Sequence, residues 1–280
     1  MVEEVAQIIK DALGNLPTLK YKWPEYPQIF HNDVYIGNEM WTCDGMRKIH
    51  LETGVTQNLE VLHCVWYPNP EYNLPIFGCD IVDTGKTITA AIVDVSPVRG
   101  TEKIYDRIRP ICNLYNFSER RALPLWGDEI FSPHCKFMRI NSRVEKYNYQ
   151  SLVKHLLTIY CEEINNAVRD ENWVNTMLRF DDQIYYCKQQ RKNKKTIAVL
   201  SKWFDKEWAR NYIDTVLFDV PVEKREDERL RLSQKYLSAK NPDNIQGKLI
   251  PGTKHPINFY FITDMKTYND QEKKADAVFD

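Results

Sequence analysis

Five short apolar runs follow one another at about residues 32–37, 46–52, 59–67, 76–83 and 87–95, and Gly, Asn, Asp and Pro turn signals separate them. A strand pair joined in parallel needs a crossover of a dozen or more residues, usually a helix. None of these gaps leaves room for one, so the runs are expected to pair in chain order as an antiparallel sheet. Of everything in the chain, this pattern restricts the fold most. Side chains alternate across each strand, so every run must sort its residues onto two faces.

The second half changes period. Leu152, Leu156, Tyr160 and Ile164 recur at helical spacing, as do Ile197, Leu200 and Phe204. Residues 183–206 and 207–218 read as two consecutive helices, residues 4–16 as a short amphipathic one and 103–119 as another; CKFMRI at 135–140 reads as a further strand. A β-rich half followed by helices indicates α+β, with helices packed on an antiparallel sheet. From about residue 222 the composition turns charge-dense and then rich in Pro, Gly and Asn, as in an appendix to the domain; 223–239 is helix-like and INFYFIT strand-like.

With 38 basic against 39 acidic residues, bulk charge gives no reason to expect a nucleic-acid partner. The seven cysteines form no CxxC or CxxH pattern, which fits reduced thiols in a cytosol-like compartment; Cys64 and Cys79 read as small core residues. No apolar run reaches the length of a membrane span. The acidic, helical N-terminus is unlike a targeting segment. The 16 Tyr, 11 Phe and 7 Trp fit either an ordinary core or a pocket for a flat conjugated ligand.

Against this background, four ionisable residues stand out in strand-like runs. His50 and Glu52 share a face in MRKIHLE, His63 shares one with Val61 and Val65, and Asp80 with Ile76 and Val82. A carboxylate in an apolar strand costs several kcal/mol unless paired or neutralised. If the strands pair in order, one sheet face collects all four, although spacing does not establish the register. No HxH, HExxH or HxxxD pattern supports a metal site, and no nucleophile elbow supports covalent catalysis. Proton transfer fits better, because carboxylates and imidazoles in low dielectric can have their pKa values pushed apart. Each residue could equally be a satisfied structural one. No GxGxxG, Walker-type loop or iron–sulfur cysteine cluster is present, so redox chemistry here would take its electrons from outside.

The runs MRKIHLE, LHCVWYPNPEYNLPIFGCDIV and ITAAIVDVSP, followed by RALPLWGDEIFS, QIYYCKQQRKNKKT and WARNYIDTVLFDVP, closely resemble the ferredoxin-dependent bilin reductases over roughly residues 30–221. The resemblance implies a three-layer α/β/α sandwich, a single bilin reductase domain over 1–221 and an extension of unknown role over 222–280. It implies a monomer in the cytoplasm, or in the plastid stroma if a transit peptide has been removed. Biliverdin IXα would bind between the sheet and the C-terminal helices and be reduced through radical intermediates. Electrons would come from a reduced [2Fe-2S] ferredoxin, with no bound flavin or metal. Neither a nucleic acid nor a membrane is implied.

Carried over residue by residue, the implied acids are Asp80, His63 and Glu52, with His50 beside them. Asp80, buried and coupled to His63, would contact the pyrrole nitrogens or lactam oxygen, and Glu52 would serve the D-ring exovinyl group. Arg121 and Lys195 would hold the two propionates, with Thr89 hydrogen-bonding one of them. Asn193, Tyr186 and Gln190 would line the pocket as polar groups, and Phe77, Val65, Val199 and Phe218 as apolar walls. For the aromatics and valines the competing assignment is plain core packing.

KQQRKNKK at 188–195 carries five cations in eight positions. It could be a solvated helix face, a nucleic-acid patch or, by the resemblance, a docking rim for acidic ferredoxin using Lys188, Arg191, Lys192 and Lys194. Family members commonly read Asn-Asp-Lys where this chain has Asn193-Lys194-Lys195, and Lys194 cannot play the part of that aspartate. Together with Glu52, this points to phycocyanobilin as the product. Phycoerythrobilin, or a non-catalytic tetrapyrrole carrier, are the alternatives.

Overall fold

A computed structural model describes residues 1–221. The helix-like stretch at 223–239, the strand-like INFYFIT and the expected extension over 222–280 lie outside the described residues. Among the described residues, nine strands form one antiparallel sheet: β1 (Lys20–Tyr21), β2 (Gln28–His31), β3 (Val34–Cys43), β4 (Met46–Thr56), β5 (Leu59–Pro68), β6 (Ile76–Asp83), β7 (Ile88–Ser96), β8 (Glu119–Arg120) and β9 (Lys136–Ile140). β3 to β7 lie side by side in chain order, as the short connections require, and β9 then β8 complete the far edge.

The two-residue period sends Leu51, Leu62, Trp66, Phe77, Cys79 and Ile81 to one face, under α1 (Val2–Leu13), α2 (Tyr105–Leu114) and α4 (Arg143–Asn166). Ser142 starts α4 by accepting from the Glu145 N–H at 3.1 Å, and Tyr149, Leu152, Val153, Leu156 and Tyr160 then recur on its buried side. The opposite face, with Val34, Ile36, Val65, Tyr67 and Ile76, lies under α5 (Trp173–Gln190), α6 (Lys194–Trp203) and α7 (Lys206–Tyr212). A single turn, α3 (Leu125–Asp128), precedes β9. The result is the expected α/β/α sandwich.

The helical reading of 183–206 needs correction. Arg191–Asn193 interrupt it, because the Asn193 side chain accepts from the Lys195 and Thr196 N–H groups and so opens a new helix. The reading of 207–218 also changes, since α7 passes into a π-turn over Ile213–Leu217. The widened turn offers its carbonyls to the sheet. Val216 O accepts from the buried Lys48 Nζ at 2.5 Å and Leu217 O from the Tyr67 hydroxyl at 3.3 Å. Asp219, just beyond, takes both Arg47 and Lys48. Sheet and turn are thereby fixed against each other, and π-turns of this kind often mark functional sites.

Candidate active site

The register decides what the sequence left open. Asn38, Glu52, His63, Asp80, Ile92 and Phe137 stand opposite one another in consecutive pairs from β3 to β9, one row on the face under α5–α7. His50 belongs to the neighbouring row, opposite Val65, which itself faces Gly78. The four ionisable residues therefore share one face.

His63 Nδ1 lies 2.6 Å from Asp80 Oδ1. A carboxylate only accepts, so this nitrogen carries the proton. Burial lowers the affinity of the His63 ring for a second proton, but the charge and hydrogen bond of Asp80, with Glu52 nearby, outweigh it and hold the imidazole above the ordinary histidine range. Phe218 packs edge-on against this ring, 5.3 Å between centroids. The expectation of a buried Asp80 is corrected: its side chain is 41% exposed against 14% for His63. The reason is that the face opens beyond β6, where Val82, Thr89, Ala90, Ile92 and Phe137 are only partly covered.

Toward β3 the row is closed. Glu52 is buried, and its Oε2 accepts from the Tyr212 hydroxyl at 2.5 Å. Burial raises the Glu52 carboxyl above the usual range, against the pull of His63 and of Tyr212. Asn38 Nδ2 donates to Tyr26 O and to the Tyr212 hydroxyl, both at 2.8 Å, which fixes the orientation of the amide. Asn38 Oδ1 must then accept from His50 Nε2 at 2.7 Å. Burial, followed by the charges of Lys48 and His63, holds His50 well below the ordinary range, so it is a neutral ring with its hydrogen on Nε2. His50 Nδ1 and His63 Nε2 are buried without a partner among the described residues.

At the open end, Arg121 Nη1 donates to Thr89 O at 2.6 Å and its guanidinium lies over the Phe137 ring. The Thr89 hydroxyl donates to Val82 O at 3.3 Å. Arg121 and Thr89 are thus brought together, next to the row that holds Asp80. On the helical side Tyr186 is buried, its hydroxyl accepting from Gln190 Nε2 at 2.9 Å and lying over Gly78, where a Cβ would come within 3.4 Å of it. Val65 and Phe218 are buried in the same layer, and Val199 on α6 is 36% exposed. Lys195 is exposed in the first turn of α6.

Two expected assignments fail, those of Phe77 and Arg191. Phe77 is no wall of this site: it lies one residue from Gly78 and so points to the other face, where it packs on Trp66 and Tyr160. Asn193 caps α6 through its Oδ1 and is half-buried. Arg191 does not belong to an outward rim, because its guanidinium donates to Phe218 O and Asp214 O and pairs with Asp214. Lys188, Lys192 and Lys194 are exposed. Asn38, Tyr212 and Lys48 were missed. Asn38 had a signal, a polar residue in step with Val34 and Ile36, whereas nothing local marks a helix tyrosine that reaches a strand carboxylate.

With this geometry in view, the relatives are informative. The family model described as ferredoxin-dependent bilin reductase matches residues 24–219. The phycocyanobilin:ferredoxin oxidoreductase of Synechococcus sp. (strain CC9605) is 39% identical over 80% of this chain and 94% of its own length. That of Synechococcus sp. (strain CC9902) is 42% identical over 67% of this chain and 77% of its own length. In fold, the chain is similar to phytochromobilin synthase from tomato, solved in complex with biliverdin. The TM-score is 0.67 at 15% identity, covering 77% of this chain and 82% of that one. The chain belongs to the ferredoxin-dependent bilin reductase family.

Proposed function

We propose that the chain reduces biliverdin IXα to phycocyanobilin, taking four electrons one at a time from a reduced [2Fe-2S] ferredoxin and four protons through its own side chains, with no cofactor of its own. The observation that carries this reading is the single row Glu52–His63–Asp80, with His63 bonded to Asp80 at 2.6 Å. Each electron added to a conjugated tetrapyrrole makes a basic radical anion, and an acid within reach must protonate it before the next electron arrives. Asp80, at the open side of the row, faces the substrate. His63, whose imidazole holds its proton above the ordinary histidine range, shares that proton with it across the 2.6 Å bond. Glu52 is the second acid, its proton held more tightly by burial and reserved for the vinyl end of the molecule.

Arg121, beside Thr89, suits one propionate as a fork, and Lys195 suits the other as a compact charge. Val65 and Phe218 supply the apolar floor, with Tyr186 and Gln190 above it. The names of the relatives support phycocyanobilin as the product, and Lys194 offers no acid on α6 for a different regiochemistry.

The test is anaerobic turnover with biliverdin, a ferredoxin and its reductase, followed by absorption spectra and product chromatography. Phycocyanobilin is expected. Phycoerythrobilin would overturn the regiochemistry alone, and a bound but unchanged bilin would overturn the activity. Asp80→Asn should still bind biliverdin, stall after the first electron and lose about 100-fold or more in turnover. Normal turnover by that variant would remove Asp80 from the reaction.

A further inference from the structure

A buried proton donor must be tolerated in two states. Before it acts it is a neutral acid with a hydrogen to place, and afterwards a carboxylate that needs a donor. An unpaired buried polar atom in either state costs more than a good hydrogen bond returns. Around Glu52 the titratable and charged groups are Lys48 and His50 on its own strand, His63 on β5, Asp80 on β6 and Tyr212 on α7. Among the described residues, only Tyr212 is bonded to the carboxyl.

The Tyr212 hydroxyl has two acceptors in reach, Glu52 Oε2 at 2.5 Å and Asn38 Oδ1 at 3.0 Å, and it accepts from Asn38 Nδ2 at 2.8 Å. Burial and the charge of Glu52 keep the phenol neutral, so it always has a hydrogen to give. The ring is clamped, stacked on Trp208 at 4.7 Å and edge-on to Tyr26. The oxygen is therefore fixed in place and only its hydrogen can turn.

We propose that Tyr212 is a positioning residue for Glu52, its hydroxyl turning to Glu52 Oε2 when Glu52 is a carboxylate and to Asn38 Oδ1 when Glu52 carries a proton. In the first state Tyr212 donates to the carboxylate. In the second, Glu52 Oε2–H donates to the tyrosine oxygen, and the phenol hydrogen moves to Asn38 Oδ1, which keeps its bond from His50. No covalent bond to the phenol hydrogen breaks. Glu52 Oε2 thus keeps a protein partner in both states, so it can give up its proton inside the closed half of the site. This deepens the reading of Glu52 as the second acid and rests on it.

The titration of Glu52 tests the switch in the bilin-free protein. Glutamate labelled with 13C at the side-chain carboxyl reports it by NMR, with Glu52→Gln to assign the signal. Tyr212→Phe removes the only donor to the carboxylate among the described residues, and the midpoint should rise by about one to two units. With 3,5-difluorotyrosine at position 212, the phenol keeps its place and becomes the stronger donor, so the midpoint should fall; this variant decides the matter if Tyr212→Phe does not fold. A midpoint unmoved in both would overturn the switch. In turnover, Tyr212→Phe should accumulate two-electron-reduced bilin with biliverdin Kd within about threefold of the parent. Shifted titration with unchanged products would leave the switch standing and overturn the role of Glu52 in reduction.

Discussion

Glu52 sits where a carboxylate is least comfortable, buried in a strand with one phenol as its donor among the described residues. The folded protein binds its proton more tightly than the unfolded chain does, since burial raises it. By linkage, its contribution to stability is fullest below the ordinary carboxylate value of 4.5 and is lost as pH rises through the folded value. Glu52→Gln should therefore raise Tm at neutral pH, by about 2–4 °C for each kcal/mol relieved, and the gain should shrink toward pH 4.5. Thermal melts across pH 4.5–8 check this, and a destabilised variant at pH 8 would contradict it. His63 and His50 oppose one another. Stability from the raised His63 is present below pH 6.5 and fades above it, whereas His50, held neutral, costs stability as pH falls below 6.5. A cost borne at the residues that would do the chemistry, and nowhere needed for packing, is what a functional site leaves behind.

At the scale of elements, the site depends on two interruptions. The π-turn Ile213–Leu217 hands its carbonyls to Lys48 and Tyr67, and so sets Tyr212 and Phe218 over the row. The break at Arg191–Asn193 ends α5 and reorients the chain, so that Lys194 and Lys195 begin α6. Asn193 maintains that break through its bonds to Lys195 N and Thr196 N. Asn193→Ala should cost about 1 kcal/mol in urea unfolding. If Lys195 holds a propionate as proposed, the substitution should also raise KM for biliverdin while leaving the pH profile in place, because it loosens the first turn of α6 and touches no acid. An altered pH profile would mean that Asn193 acts on the acids directly.

At the scale of the whole molecule, 38 basic and 39 acidic residues nearly cancel, so no global field draws an acidic partner. Attraction must be local. Lys192, Lys194 and Lys195 are exposed within four residues of one another at the α5–α6 corner, while Arg191 turns inward. If ferredoxin docks there, its KM should rise steeply with salt, because the screening length falls from about 10 Å at 0.1 M to about 3 Å at 1 M. Reversal of two charges, Lys192→Glu with Lys194→Glu, should raise the KM for ferredoxin about tenfold at low salt and leave the biliverdin Kd unchanged. Steady-state kinetics at two ionic strengths decide it, and a salt-insensitive KM would move the docking face elsewhere. No helix among the described residues is long and apolar enough to cross a membrane.

By itself the sequence determined the antiparallel order of β3 to β7, because its connections are too short for crossovers, and it determined that His63 and Asp80 must sit on strands. It also marked His50 and Glu52 as sharing a face, since a two-residue period leaves no choice. Read consistently, the same period would have placed Phe77 away from Asp80. What only the tertiary structure decided are the contacts between distant segments: the register that aligns Glu52, His63 and Asp80, and the reach of Tyr212 across 160 positions to Glu52. It likewise decided that Asp80 is the open end of the row and Glu52 the closed one. Local patterns fix which way a side chain points along its own strand. What covers it depends on where α5–α7 come to rest, and no local period encodes that.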